Sequence, residues 1–91
     1  MITASTQVVR AESLLSTELD DETILMSIEQ GAYYGMEQTA RRIWVLLAEP
    51  RKVSELCGQL AQEYQVEPDH CQRDVIAFLE ELVREGLVAA T

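Results

Sequence analysis

The chain has 91 residues, and its 16 Asp and Glu against 7 Lys and Arg give a formal net charge of −9 at pH 7. A chain of this length forms one small domain, with too little interior to enclose a deep active site and its supporting residues. The negative charge repels phosphate backbones, and no basic stripe is present to release counterions, so the sequence predicts no nucleic-acid partner.

The N-terminal stretch carries no targeting signal that the sequence reveals. MITASTQVVRAES lacks the apolar centre of a secretory signal peptide, and no apolar run approaches the roughly 18 residues of a transmembrane helix. The sequence therefore predicts a cytoplasmic protein with no membrane partner. Residues 1–12 are rich in small polar residues and short on apolar periodicity, which predicts a flexible arm ahead of a domain at 13–91.

Three short segments predict an antiparallel meander. Residues 14–19 and 23–28 are strand candidates separated by a turn at Asp20–Asp21, and a second turn at Glu29-Gln30-Gly31 leads into a third strand at 32–36.

Three amphipathic helices are predicted after the strands. The first begins near Glu37 and is ended by Pro50, the second spans residues 52–64, and the third begins at Pro68 and stops at Gly86. Strands followed by helices predict an α+β fold, with the helices packed on one face of a three-stranded antiparallel sheet.

The third predicted helix has a wider apolar band than core packing requires. Ile76 and Val83 lie about 100° from the centre of its main apolar stripe. Two interpretations remain open: these residues contact a neighbouring helix or the C-terminal LVAAT, or they form the wall of a groove.

The third predicted strand is a candidate binding edge. It lies at one side of the meander, contains Gly35, and lacks the lysine or proline that often protects an edge, so it could accept a fourth strand. Tyr33 and Tyr34 point to opposite faces of this strand. We expect one of them to pack toward the core and the other to be partly exposed, where tyrosine is well suited to binding contacts.

The sequence contains no pattern that indicates catalysis or metal binding. Cys57, Cys71 and His70 do not have the spacing of metal ligands, and both cysteines occupy apolar positions of helical patterns, where cysteine acts as a small hydrophobic residue. No nucleophile motif or phosphate-binding loop is present. We therefore expect a binding protein that is not an enzyme and has neither metal nor cofactor.

Three segments together resemble the PqqD-like family of recognition domains, which bind leader segments of ribosomally made, post-translationally modified peptides. They are ETILMSIEQGAYYGMEQTARRIWVLL, KVSELCGQLAQEYQV and DVIAFLEELVREGLV, and the resemblance covers about residues 14–88. The short chain is most similar to the stand-alone recognition protein, the split B protein, of lasso-peptide pathways. It departs from many relatives at Met36 and Glu37, where they have Leu-Asn, and this departure concerns the start of the first helix.

The resemblance implies a winged-helix-like fold of three strands and three helices. It also implies that the leader lies between the third strand and the third helix as an added antiparallel strand. The implied peptide-binding residues are Ala32, Tyr33, Tyr34 and Gly35 on the strand, Val75, Ile76 and Leu79 on the helix, and Asp69 and Asp74 at the rim. The implied partners are the precursor leader and a leader peptidase of the cysteine-protease class, with the cyclase of the pathway as a further candidate and a strand-swapped homodimer as an alternative state.

Two alternatives belong to other functional classes. One is a peptide carrier for a radical enzyme in the biosynthesis of a cofactor of the pyrroloquinoline quinone (PQQ) type. The other is a winged-helix DNA-binding regulator, which the net charge disfavours, because the third predicted helix carries only Arg73 and Arg84 as basic residues.

Overall fold

The computed structural model describes residues 1–12, 14–20, 22–27 and 31–91. In chain order, the elements are β1 (Gln7–Arg10), β2 (Leu14–Leu19), β3 (Glu22–Ser27), β4 (Ala32–Glu37), α1 (Gln38–Leu46), β5 (Arg51–Lys52), α2 (Val53–Tyr64), α3 (Pro68–Arg84) and β6 (Val88–Ala90). These residues form two antiparallel three-stranded sheets, ordered β2-β3-β4 and β5-β1-β6, which confirms the predicted α+β class. No helix within the described ranges combines the length and apolar character needed to cross a bilayer.

The β2-β3-β4 meander has one buried face and one partly exposed face. Thr23, Leu25 and Ser27 alternate inward along β3 and are buried, whereas Ile24 and Met26 point to the opposite face and are half-buried. The predicted meander is therefore confirmed, with its middle strand at Glu22–Ser27. We call the face with Ile24 and Met26 the outer face of the meander.

The second sheet contains a strand where the sequence predicts a flexible arm. β1 pairs with β5 on one side and with β6 on the other, and Val8 at its centre is fully buried. The prediction of an unstructured arm at 1–12 is wrong, because a four-residue strand with one inward side chain has almost no apolar periodicity to detect. The folded unit thus includes residues that the predicted domain boundary leaves out.

The N-terminal residues lie beside one end of the wide apolar band of α3. The backbone N–H of Ile2 donates to Glu80 Oε2 at 3.2 Å, and Met1 and Ile2 border a hollow beside Val83. Ile76 lies two helical turns from Val83 on the same face and is half-buried. Val83 therefore borders the N-terminus, a segment that neither interpretation names, while Ile76 packs against the core.

The helices follow the predicted pattern closely. α3 begins with Pro68 and is followed by Gly86 at φ 76°, a left-handed conformation that glycine adopts without strain. α2 ends at Tyr64 and is followed by Gln65 in the same left-handed region. α1 ends at Leu46, before Pro50 is reached.

An ion pair joins α1 to α2 and makes stability depend on pH. Arg42 donates to both carboxylate oxygens of Glu63, at 2.9 and 2.8 Å, and Gln59 donates to Oε2 at 3.1 Å. These hydrogen bonds, with that of Arg42 foremost, lower the pKa of Glu63 to about 2.

Because the folded-state pKa of Glu63 is lowered, the pair stabilises the protein above the unfolded pKa of roughly 4.3 and loses that contribution as pH falls toward 2. We expect an NMR titration of the Glu63 carboxyl carbon to give a midpoint near 2 in the wild type and a clearly higher one in Arg42→Gln. Arg73→Gln, on the exposed side of α3, serves as the control and should leave the Glu63 midpoint in place. An unchanged midpoint in Arg42→Gln would contradict the assignment.

Candidate functional site

The edge of β4 is the first component of the candidate site. Within the described residues, β4 pairs only with β3, and no strand lies on its other side. Alternate backbone N–H and C=O groups of an edge strand point away from the sheet and can pair with an added chain.

A sharp turn places α1 at the end of this edge strand. Gln38 has a φ of 53°, a left-handed conformation that is uncommon outside glycine, and it directly follows β4. Thr39 and Ala40 consequently occupy the first turn of α1, next to the strand. The edge of β4 therefore leads straight to the start of a helix.

A groove runs between α1 and α3. One hollow of ≈230 Å³ is lined by Thr39, Ala40, Ile43, Asp74, Val75 and Phe78. A second hollow of ≈390 Å³ is lined by Thr39, Leu60, Tyr64, Val66, His70, Cys71, Asp74 and Val75. Because the two hollows share Thr39, Asp74 and Val75, we treat them as one feature, the α1–α3 groove, whose lining is mostly apolar.

The rim of the groove is acidic at the N-terminal half of α3. Asp74 Oδ2 lies 3.3 Å from His70 Nε2, and both side chains are about two-thirds exposed, at 67% and 65%. Asp69 is exposed in the first turn of the same helix. A basic or hydrogen-bonding side chain of a ligand would find acceptors here.

The two cysteines belong to the interior of the protein. Cys57 and Cys71 are 5% and 8% exposed, in agreement with the prediction that they act as small hydrophobic residues. Burial raises the pKa of Cys57 to about 11, and burial followed by the charge of Asp74 raises the pKa of Cys71. Both thiols are therefore protonated at neutral pH and are poor nucleophiles. In the described part of the chain, no three His, Cys, Asp or Glu side chains lie close enough together to hold a metal ion.

A hydrogen bond links β4 to the C-terminal end of α3. The Tyr34 hydroxyl donates to Glu85 Oε2 at 3.1 Å. Burial, and then the carboxylate of Glu85, raise the pKa of Tyr34. Tyr34 packs against the core, while Tyr33 is 72% exposed on the outer face, so the expected division between the two tyrosines is confirmed.

Several residues of the predicted site lie where a peptide between β4 and α3 could meet them. Ala32 and Gly35 belong to the edge strand, Tyr34 points toward α3, and Asp74 and Val75 line the groove. Their part in binding stays a prediction.

Three other predicted residues are placed differently. Leu79 is fully buried, and its neighbour Phe78 lines the groove. A part for Leu79 in the cleft wall stays a prediction. Ile76 is half-buried and packs against the core. Tyr33 borders a hollow of ≈270 Å³ on the outer face, on the opposite side of the sheet from Tyr34.

The residues that sequence reasoning missed are Thr39, Ala40 and Phe78. Phe78 falls on the main apolar stripe of α3, where core and groove residues look alike. A usable signal was its spacing, because Asp74, Phe78 and Glu85 follow one another at i, i+4 and i+11 and therefore share one helix face.

Comparisons with known proteins agree with this geometry. The family described as "Coenzyme PQQ synthesis protein D (PqqD)" matches residues 22–88. The solved structure "TbiB1 in Complex with the TbiA(beta) Leader Peptide" is similar, with a TM-score of 0.82 and 30% sequence identity over 88% of this chain and 93% of that chain. "Lasso peptide synthetase B1 complexed with the leader peptide" shares the fold, with a TM-score of 0.80 and 22% identity over 90% of this chain and 96% of that chain.

No match was found among curated protein sequences. The matched residues nonetheless include β3, β4, all three helices and the start of β6, and therefore the whole candidate site. This chain belongs to the PqqD family.

Proposed function

We propose that this protein binds the leader segment of a ribosomally made precursor peptide, as a lasso-peptide recognition protein does, by adding the leader to β4 as an antiparallel strand. The observation that carries the proposal is the edge of β4, which has no strand partner among the described residues and leads directly into the α1–α3 groove. The likeness to TbiB1, solved with a leader peptide, supports it.

Strand addition divides the leader side chains into two sets. Main-chain hydrogen bonds to β4 contribute affinity for any sequence, while alternate side chains point either toward α3 or toward the outer face. Burying two apolar side chains in the groove contributes about 1.5–3 kcal/mol each. The main-chain hydrogen bonds add to this contribution, and the entropy cost of ordering the peptide opposes it. We expect a Kd of about 1 μM, which corresponds to a binding free energy of roughly −8 kcal/mol.

The proposed contact residues differ from the sequence-based set. Ala32, Tyr34 and Gly35 would form the strand side, with Tyr33 on the outer face, and the helix side would consist of Asp74, Val75 and Phe78. Thr39 and Ala40 would close the end of the site at α1. Asp69 and Asp74 would accept hydrogen bonds from a basic leader residue.

The bound leader would then be presented to a peptidase of the cysteine-protease class in the cytoplasm. The recognition protein itself would catalyse no step. Holding leader and peptidase together makes cleavage effectively intramolecular, at an effective concentration of about 1 mM. The cyclase of the pathway is a further proposed partner, and a second copy of the chain could use the same strand edge in a swapped dimer.

The proposal predicts which leader N–H groups matter. The probe is a fluorescein-labelled leader of the precursor encoded beside this protein, with single backbone N-methyl groups placed along it. At every second position of the leader the N–H would point at β4. Methylation there should raise the Kd at least about tenfold, as measured by fluorescence polarisation, because each methyl group removes a main-chain hydrogen bond and clashes with β4.

Methylation at the intervening positions, whose N–H groups point to solvent, is the matched control and should have little effect. A scrambled leader should not bind saturably. The proposal is excluded if the native leader does not bind, or if both sets of methylated peptides bind alike.

A second candidate function is favoured by the family description, which names coenzyme PQQ synthesis. In that case the same edge would carry a peptide to a radical enzyme. A cleavage assay separates the two: acceleration by this protein of leader removal by the peptidase supports the lasso-type role, whereas unchanged cleavage with a stable complex to a radical enzyme supports the carrier.

A further inference from the structure

The side chain of Glu22 lies against the backbone of Gly35 on the outer face. A Cβ built on Gly35 would collide with Glu22 Oε1 and would lie 3.4 Å from Glu22 Cδ. Gly35 pairs across the ladder with Ile24, so the Glu22 side chain leans diagonally from β3 onto β4. The carboxylate thus occupies the place of the missing side chain in the edge strand.

We propose that Glu22 selects a basic side chain at one position of the peptide added to β4. This inference rests on the strand addition proposed above. Facing residues of neighbouring antiparallel strands have Cβ atoms about 5 Å apart, so the peptide residue opposite Gly35 would start about that far from the Glu22 carboxylate. Lysine or arginine there reaches the carboxylate, whereas aspartate or glutamate is repelled.

The surroundings of Glu22 strengthen its influence. Its side chain is half-buried, and its nearest neighbours on the outer face include Ile24 and Gly35. In the described ranges of the chain, no basic side chain forms an ion pair with Glu22. A cation from the peptide would therefore be its first such partner there, in a setting less screened than open water.

Tyr33 adds a second preference, which fixes the order of residues along the bound peptide. Tyr33 is two residues before Gly35, points to the same outer face, and is 72% exposed, so it offers a ring to an apolar or aromatic peptide side chain. In an antiparallel added strand, the residue opposite Gly35 precedes the residue opposite Tyr33 by two. The bound peptide should therefore contain a basic residue, then any residue, then an apolar residue, in the direction from its N-terminus to its C-terminus. The side chain of the middle residue points toward α3.

The test is a selection from a random 12-residue peptide library displayed on mRNA, against the folded wild type and its variants. The wild type should enrich the basic-any-apolar pattern, Glu22→Gln should lose the basic preference, and Glu22→Lys should prefer an acidic residue there. On resynthesised peptides, changing the basic residue to Glu should cost the wild type about 3- to 10-fold in Kd and should favour binding to Glu22→Lys.

Gly35→Ala provides an independent variant that leaves Glu22 in the chain. The atom that an added Cβ meets is the end of a flexible side chain, so we expect the carboxylate to move aside while the strand stays folded. This variant should lose the basic preference as Glu22→Gln does. Glu49→Gln, in the exposed loop after α1, carries the same charge change and should select peptides as the wild type does.

The outcomes separate this inference from the proposed function. If the selected peptides add to β4, but the wild type and Glu22→Gln prefer a basic residue equally, the role of Glu22 is overturned and strand addition is retained. A wild type that enriches no peptide overturns strand addition and the role of Glu22 together.

Discussion

Deleting residues 1–10 should abolish cooperative folding, or lower the melting temperature so far that the protein is unfolded at 37 °C. β1 is the central strand of its sheet, so its loss leaves β5 and β6 without their common partner. The deletion also uncovers core atoms, because Val8 is 0% and Ile2 is 7% exposed. Small domains are stable by only about 5–15 kcal/mol, and losing a central strand removes a large part of that.

Point variants in β1 refine this test. Val8→Ala should reduce the free energy of unfolding by about 2 kcal/mol, and Val8→Asp by about 4 kcal/mol or more, since it buries a carboxylate without a partner. Gln7→Ala, at the exposed neighbouring position, is the control and should change stability little. Urea titrations followed by circular dichroism measure all three, and a deletion variant that melts like the wild type would restore the flexible-arm interpretation.

Thr39→Trp should weaken leader binding about 10- to 100-fold without unfolding the protein. Thr39 is exposed and lines both hollows of the α1–α3 groove, so an indole there fills the space where a leader side chain would lie. Losing the burial of one apolar side chain, about 1.5–3 kcal/mol, accounts for the expected change in Kd. Fluorescence polarisation with the labelled leader is the measurement.

The matched control adds the same bulk elsewhere on α1. Val45 is 40% exposed and lines neither hollow, so Val45→Trp should bind the leader as the wild type does. Equal loss in both variants would indicate a general disturbance of α1. Wild-type affinity in Thr39→Trp would show that the leader does not use the groove.

The elements that the sequence predicts well are those with dense local signals. The meander strands are short runs bounded by turn residues such as Asp20 and Gly31, and α2 and α3 repeat apolar residues at helical spacing over 12 and 17 residues. β1, β5 and β6 have only 4, 2 and 3 residues, and their pairings join distant parts of the chain, such as Val8 with Ala90. No local pattern encodes such a pairing.

The candidate site also has some parts that the sequence predicts and others that it does not. The edge of β4 was predictable because protecting residues are missing from the strand itself. Alternation also separates Tyr33 from Tyr34, but only the ladder, in which Tyr34 pairs with the buried Leu25, decides which tyrosine faces inward. The sequence alone does not assign Phe78 to the groove, because an apolar residue at helical spacing fits a core and a groove equally well.

The two ends of the chain meet in the sheet of β1, β5 and β6. The backbone N–H of Gln7 donates to the carbonyl of Thr91 at 3.1 Å, and that of Thr91 donates back to Gln7 at 2.9 Å. Because Gln7 and Thr91 are paired, the fold is a good candidate for circular permutation, with a linker from residue 91 to residue 1 and new ends opened at the exposed Glu49 and Pro50. In the permuted chain, β6 and β1 would become consecutive strands. The pairing of β1 with β6, which has the greatest sequence separation in the native chain, would then form early in folding and at a low cost in chain entropy. The meander and α1 would keep their order.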